Sequence, residues 1–172
     1  MELIKIENSI SRKKAREQAF ILGFEYIFTN ESIDEMIEIS KEYDVVDEIK
    51  HLDEFAIAIV RGMIENKEEI DCMIESKTIG WKINRMSKVA LTIIRLSVYQ
   101  LLFSTGDIKA LDPTSVIINE AVRITKKYST IEDSAFVNGV LGVIAKTKVQ
   151  DDIDKENFKF EEKEKPEDIP LD

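Results

Sequence analysis

The sequence predicts an all-α protein of about seven helices, arranged as two packed three-helix bundles and followed by an acidic C-terminal tail. Helix breakers are rare, because the 172 residues include only six glycines and three prolines, of which Pro166 and Pro170 lie in the tail. Apolar residues also recur at the helical spacing, as in the series Ala15, Ala19, Leu22 and Tyr26. Many helices joined by short connections are typical of a compact bundle.

Residues that favour helix ends mark where the elements begin. Caps precede four of the predicted helices: Ser11, Asn66 with Glu69 as a capping box, Asp112 before Pro113, and Thr130 with Asp133. The predicted helices span 11–28, 31–41, 45–64, 66–76, 86–104, a segment that opens at Pro113, and 130–148. The helix around Arg95 is apolar on nearly every face, so we expect it to be central.

Charge is unevenly distributed along the chain. The formal net charge of −10 argues, taken alone, against a nucleic-acid partner. However, residues 150–172 hold ten acidic and four basic residues, which leaves residues 1–149 with 20 basic and 24 acidic groups. We therefore expect a nearly balanced helical domain over 1–149 and a disordered acidic tail over 150–172.

Several classes of function lack the residues that they need. A single cysteine, Cys72, and a single histidine, His51, exclude an intramolecular disulfide, fit a reducing cytoplasm and leave too few ligands for a typical zinc site. The sequence shows neither a signal peptide nor a segment apolar enough to cross a membrane. It also lacks phosphate-loop and dinucleotide motifs, so we expect a non-enzymatic protein without cofactor or metal. Cys72 is expected to be buried and His51 to be solvated.

The strongest candidate for binding is a basic cluster at the start of the first helix, formed by Arg12, Lys13, Lys14 and Arg16. Cations are unfavourable at this end of a helix dipole. The cluster is therefore either a solvated helix end or a phosphate-binding surface assisted by free backbone N–H groups. Arg95, isolated in an apolar segment, is either paired with a carboxylate inside the bundle or extended to the rim of a basic groove.

The last helix carries an aromatic residue and two glycines of interest. Phe136 lies in its first turn, where the sequence favours a core position and leaves base stacking as the alternative. Gly139 and Gly142 are expected to permit close approach of another helix.

These residues belong to an ordered set of segments between residue 11 and about residue 148. The segments are Arg12–Glu17, Trp81 with Asn84–Val89, Ile94–Tyr99, Val116–Val122 and Phe136–Leu141. In order and spacing the set resembles the NusB family of bacterial transcription antitermination factors. The resemblance implies an all-helical fold of two three-helix bundles, in agreement with the pattern of apolar residues.

The resemblance also implies a function. Family members bind the boxA element of nascent ribosomal RNA, as single-stranded RNA, together with a small-subunit ribosomal protein. This complex joins the elongating RNA polymerase and suppresses premature termination. By resemblance, the RNA contacts are Arg12, Lys13, Lys14, Arg16, Arg95, Glu132, Asp133 and Phe136. Phe24 and Ala90 correspond to positions at the partner-protein face.

The chain departs from the family pattern in places. Ala90 stands where many members carry an acidic residue, Ala135 replaces a frequent lysine, and the loop over 106–112 is longer than usual. Two other functions stay open: a helical accessory domain of a ribosomal-RNA methyltransferase, and a protein-interaction scaffold that does not bind RNA. Self-association to a homodimer is also open, because some family members form one.

Overall fold

The computed structural model describes residues 11–42, 52–80, 82–104 and 112–163, with side chains throughout except at 41–42 and 151–163. Its helices are α1 (Arg12–Tyr26), α2 (Ile33–Glu42), α3 (Glu54–Glu65), α4 (Lys67–Lys77), α5 (Lys88–Val98), α6 (Thr114–Tyr128) and α7 (Ile131–Lys163). A short 3-10 turn, Ile83–Arg85, precedes α5, and a π-helical turn, Tyr99–Phe103, continues it. No strand occurs within these ranges, which confirms the predicted all-α class.

Helix α5 lies at the centre of the fold. It contacts α1, α3, α4, α6 and α7, so helices from both halves of the chain pack against it. Eight of its eleven residues are buried, including Leu91, Ile94 and Val98. A segment without a polar face can be stable in water only where neighbouring elements cover it on all sides. The prediction that the helix around Arg95 is central is therefore confirmed.

Two of the four predicted caps form as expected. The Ser11 hydroxyl accepts a hydrogen bond from the Lys14 N–H at 3.4 Å, and the Thr130 hydroxyl accepts one from the Asp133 N–H at 3.0 Å. Each bond satisfies a backbone donor that has no partner within the helix, which fixes where α1 and α7 begin.

The other two predicted caps are wrong, because each side chain finds a different partner. Asn66 makes no capping bond, and its amide donates to the Gly62 carbonyl at 2.7 Å instead. Asp112 does not cap α6, which begins at Thr114 after Pro113. Its carboxylate accepts from Arg16, so a residue predicted to cap the start of a helix instead connects α1 to the segment before α6.

Two predicted helix boundaries are also corrected. Asp53 is extended and its carboxylate accepts from the Phe55 N–H at 2.9 Å, so α3 begins at Glu54. The predicted start near residue 45 falls within 43–51, which lies outside the described residues. The last helix was predicted to end near Lys148, with a disordered tail from residue 150, but α7 continues to Lys163. The sequence contains neither glycine nor proline from 143 to 165, so nothing in the backbone interrupts the helix. Residues 164–172 lie outside the described ranges, as do residues 105–111, which include most of the loop that the sequence analysis identified as long.

The sequence analysis predicted that Cys72 is buried and that His51 is solvated. Cys72 is exposed, contrary to the prediction that it is buried. Ile70 and Ile74, one turn apart on α4, are the residues that face the core, and position 72 lies on the opposite side of the helix. His51 lies outside the described residues. Among the described helices, none is long and apolar enough to span a bilayer.

Glycine permits a close helix contact, although not where the sequence predicted it. Among the described residues, no neighbouring helix comes within 4 Å of a methyl group placed on Gly139 or Gly142, so these glycines do not serve close packing here. The close approach is at Gly62 of α3, where a methyl group would overlap the ring of Tyr99. The π-helical turn therefore packs its aromatic ring directly onto the α3 backbone.

We expect Gly62→Ala to lower the free energy of unfolding by about 1 to 3 kcal/mol, because the Tyr99 ring must move out of a packed position. Gly139→Ala is the matched control and is expected to raise the same quantity by about 0.5 to 1 kcal/mol, since the added methyl group enters open space on a helix. Urea unfolding of both variants tests this. Equal stability of the two variants would contradict the close contact at Gly62.

Candidate nucleic-acid interface

The start of α1 presents three exposed cations, Arg12, Lys13 and Lys14, which we call the exposed cluster. The first turn of α1 contains no acidic residue. Within the described ranges no carboxylate forms a salt bridge with these side chains, in contrast to Arg16 one turn later. Three cations beside free backbone N–H groups at the positive end of a helix dipole create a strongly anion-attracting surface.

Arg12 is held in place by an aromatic ring. Its guanidinium carbon lies 3.9 Å from the centroid of Phe55, at the start of α3. The α3 start is in turn joined to α1 by Gln18, whose side-chain oxygen accepts from the Asp53 N–H at 2.9 Å. A stacked guanidinium keeps its edge N–H groups available to hydrogen-bond acceptors. The contact therefore orders Arg12 without using its donors.

Arg16, the fourth member of the predicted basic cluster, does not share this surface. Its side chain is only 5% exposed. The guanidinium donates to the Gln100 side chain at 2.9 Å and to the Asp112 carboxylate at 2.5 Å. Because both ends of the guanidinium are engaged below the surface, Arg16 connects α1 to the π-helical turn and to the segment before α6.

A second group of cations, which the sequence analysis missed, lies on α6 beside α1. Glu17 of α1 accepts hydrogen bonds from Lys127 and from the Tyr128 hydroxyl (2.6 Å), and forms a salt bridge with Arg123 at 3.4 Å. Residues 123 and 127 are one helical turn apart, as are 13 and 17 on α1. This matching spacing is the only feature of the sequence that could have predicted the pairing of Glu17 with α6. It is informative only once the two helices are known to be neighbours.

The Glu17 contacts shift the pKa values of the groups involved. Partial burial alone would raise the pKa of the Glu17 carboxyl, but hydrogen bonds from Lys127 and Tyr128 outweigh it and the pKa is lowered. The hydrogen bond to Glu17 raises the pKa of the Lys127 ammonium. Burial, together with the same carboxylate, raises the pKa of the Tyr128 hydroxyl. At neutral pH the carboxylate is therefore charged and holds two cations and a neutral hydroxyl.

Arg95 is paired with a carboxylate inside the bundle, which is the first of its two predicted arrangements. Its guanidinium forms a bidentate pair with Asp71 of α4, with distances of 2.7 and 2.8 Å. The side chain is 11% exposed, and Lys67 approaches the same carboxylate at 3.5 Å. A fork-to-fork pair fixes both side chains in one plane. Arg95 therefore joins α5 to α4, and only its edge reaches the surface.

The predicted contacts on α7 lie in its first turns. Glu132 is exposed, whereas Asp133 is partly buried and accepts hydrogen bonds from the hydroxyls of Ser87 (2.7 Å) and Ser129. Ser87 is the cap of α5, so Asp133 brings the starts of two helices together. Phe136 is half-buried and packs against the core, which leaves part of its ring at the surface.

The two residues predicted at a partner-protein face are placed very differently. Phe24 is half-buried, between Phe20 (centroids 5.7 Å apart) and Phe28 (5.1 Å), and Phe28 is 67% exposed. This aromatic series leads from the core to an exposed ring that the sequence analysis missed. Ala90 is 1% exposed, contrary to the expectation that it offers a contact, because α5 turns this position into the core.

Comparison with known proteins gives the family. The family model described as "NusB family" matches residues 13–146. The chain belongs to the NusB family. A NusB relative from Clostridium novyi (strain NT), named transcription antitermination protein NusB, is 41% identical over 138 residues, which cover 80% of this chain and 99% of the relative.

Solved NusB structures agree with this fold. NusB from T. maritima is 32% identical with a TM-score of 0.65, covering 80% of this chain and 92% of that one. A crystal structure of the antitermination factors NusB and NusE in complex with dsRNA is 30% identical with a TM-score of 0.64, covering 79% of this chain and 96% of that one. The family expectation raised by the ordered segments is thus confirmed, as is the helical fold.

Proposed function

We propose that this protein is a non-enzymatic, RNA-binding antitermination factor. It binds boxA-type single-stranded RNA in nascent ribosomal RNA transcripts, together with a small-subunit ribosomal protein, and joins the RNA polymerase elongation complex to suppress premature termination. Membership of the NusB family and the names of its relatives support this function. Such a role would be performed in the cytoplasm.

The exposed cluster is the observation that carries the proposal. Arg12, Lys13 and Lys14 stand at a helix N-terminus at which cations weaken the helix and at which none has a carboxylate partner among the described residues. An arrangement that is unfavourable for the free helix becomes favourable once phosphates occupy it. Phosphate contacts at this cluster are therefore the basis of RNA binding in the proposal.

The other predicted contacts take separate roles in the proposal. Phe136 offers the exposed part of its ring for stacking on a base, and Glu132 accepts hydrogen bonds from base amino groups. Asp133 positions that turn through Ser87. Arg16 and Arg95 act as positioning residues, because their guanidinium groups are engaged with Asp112 and Asp71.

The proposed partner surface is the aromatic end of α1. Phe28 exposes two thirds of its side chain and rests edge-on against Phe24, so a rigid apolar group stands at the surface. Exposed aromatic anchors of this kind dominate the energetics of protein interfaces. The ribosomal protein would cover Phe28 and the exposed side of Phe24, and Ala90 has no part in the contact.

We expect the purified protein to bind a boxA-like RNA at least tenfold more tightly than a scrambled RNA of the same composition, and the ribosomal partner to widen that difference. Electrophoretic mobility shifts with both RNAs, with and without the partner, measure it at a stated salt concentration. The control is Phe28→Ser, which is expected to lose the effect of the partner and to keep the affinity for RNA alone. Equal binding of both RNAs under all conditions would reject the proposed recognition of boxA, and absence of binding to either RNA would favour a protein-interaction scaffold.

The competing role as an accessory domain of a methyltransferase has less support. The C. novyi relative, covered over 99% of its length, is named as an antitermination protein.

Self-association is measured in the same preparation by sedimentation. A dimer that dissociates when RNA is added would place the exposed cluster in its interface.

A further inference from the structure

Glu17 lies between cations of α1 and cations of α6, and Glu120 is a second carboxylate at this surface. Glu17 follows Lys13 by one turn of α1, and it faces Arg123 and Lys127 of α6. Its carboxylate is 19% exposed, so it is close to the surface without being fully solvated. The surface that surrounds it carries the exposed cluster on one side and the two α6 cations on the other. A negative group at this position reduces the attraction of the whole surface for phosphate.

The α6 cations are engaged but still within reach of a ligand. Arg123 is held by Glu17 at 3.4 Å, by Glu120 at 2.9 Å and by the Lys13 carbonyl at 3.3 Å. Lys127 is hydrogen-bonded to Glu17, yet 57% of its side chain is exposed. A phosphate can therefore approach Lys127, although it must compete with Glu17 and overcome repulsion from it.

This competition affects different RNAs to different extents. Non-specific RNA binds through phosphates alone, in many positions, so it gains from every accessible cation on the surface. An RNA that is fixed in register by base contacts uses only those cations that its own phosphates reach. A carboxylate that is paired with the α6 cations makes them less available to phosphates, and this weakens non-specific binding more than specific binding.

We propose that Glu17 is a specificity-determining residue, which pairs with Arg123 and Lys127 and thereby suppresses binding of RNA of arbitrary sequence. The inference rests on the proposed RNA-binding function. On this inference, Arg123 and Lys127 are additional phosphate-binding cations beside the exposed cluster. Their pairing with Glu17 reduces their contacts with the phosphates of non-specific RNA. The Tyr128 hydroxyl donates to the same Glu17 oxygen as Lys127 and so fixes the carboxylate in place.

The test compares Glu17→Gln with Glu25→Gln. Both variants remove one negative charge from α1, but Glu25 is exposed near the other end of the helix. The probes are oligouridine and a boxA-like RNA of equal length, titrated by fluorescence anisotropy at several salt concentrations. Glu17→Gln is expected to raise oligouridine affinity about 3- to 10-fold at low salt, with a slope of log affinity against log salt steeper by about 0.7 per phosphate gained. The affinity for boxA-like RNA is expected to rise less.

A second variant keeps the proposal testable if Glu17→Gln folds poorly. Because Lys127 is already held by Glu17, Lys127→Ala in the otherwise unchanged protein is expected to alter oligouridine affinity less than twofold. In the Glu17→Gln background the same change is expected to remove most of the gain. Folding of each variant is checked by circular dichroism.

The outcomes separate this inference from the function on which it rests. An unchanged oligouridine affinity in Glu17→Gln, an equal gain in Glu25→Gln, or a large loss from Lys127→Ala alone would overturn the role of Glu17. If the unaltered protein fails to distinguish boxA-like RNA from oligouridine, the proposed function fails. In that case, a selective gain of oligouridine binding in Glu17→Gln would still support the restraint of the α6 cations.

Discussion

Arg16→Met is expected to lower the free energy of unfolding by about 2 to 4 kcal/mol. Removing one partner of a buried ion pair leaves the other charge without compensation, which costs about 3 to 5 kcal/mol when the pair is fully buried. The lower range applies here because Asp112 is 18% exposed and keeps some contact with water. Gln100 also loses the donor that satisfies its side-chain oxygen. Urea unfolding measures the loss.

Lys14→Met is the matched control for Arg16→Met. It removes a cation from the same helix at an exposed position, so the free energy of unfolding should change by no more than about 0.5 kcal/mol. The two positions should also differ in RNA binding. Arg16→Met should leave the salt dependence of RNA affinity unchanged, because no phosphate contact is lost. A stable Arg16→Met protein with a flatter salt dependence would show that Arg16 contacts RNA directly.

Combined replacement of Arg12, Lys13 and Lys14 by alanine is expected to have the largest effect on RNA binding. Each lost phosphate contact reduces the slope of log affinity against log salt by about 0.7 for single-stranded RNA, so the slope should fall by about 2. At low salt we expect a loss of affinity on the order of 100-fold. The loss should be similar for boxA-like and scrambled RNA, because phosphate contacts do not distinguish base sequence.

The stability of this triple variant provides an independent check. Cations at a helix N-terminus oppose the dipole, at roughly 0.3 to 1 kcal/mol each, so their removal should leave the protein as stable as before or slightly more stable. A control that replaces Lys77, Lys82 and Lys146 by alanine removes the same charge from other places. If this control lowers RNA affinity as much as the triple variant, overall charge rather than the exposed cluster accounts for binding.

Much of the fold follows from local patterns in the sequence. The all-α class, the central position of α5 and the caps at Ser11 and Thr130 depend on residues within one or two helical turns of each other. Such short-range information is complete in the sequence. The predictions that failed at Asn66 and Asp112 concern side chains with two possible partners, of which the sequence shows only the nearer one. For Asp112 the partner chosen lies 96 residues away.

For the candidate site too, the sequence predicted the local pattern but not the long-range contacts. The sequence identifies a basic cluster at the start of α1 but does not separate Arg12, which stays at the surface, from Arg16, which is buried. Glu17 illustrates the same limit, because its partners Lys127 and Tyr128 are 110 and 111 residues away and no local spacing connects them to it.

The sequence by itself determined the all-α class, the central position of α5 and which family the ordered segments resemble. These properties arise from residue spacing along one segment of chain. Only the tertiary structure decided which cations remain available to a ligand. That outcome depends on which distant carboxylates, amides and rings pack beside each cation, and on how much water is excluded when they do. Arg12 and Arg16 lie one turn apart on α1, and the neighbours supplied by α3, the π-helical turn and the segment before α6 give them different roles.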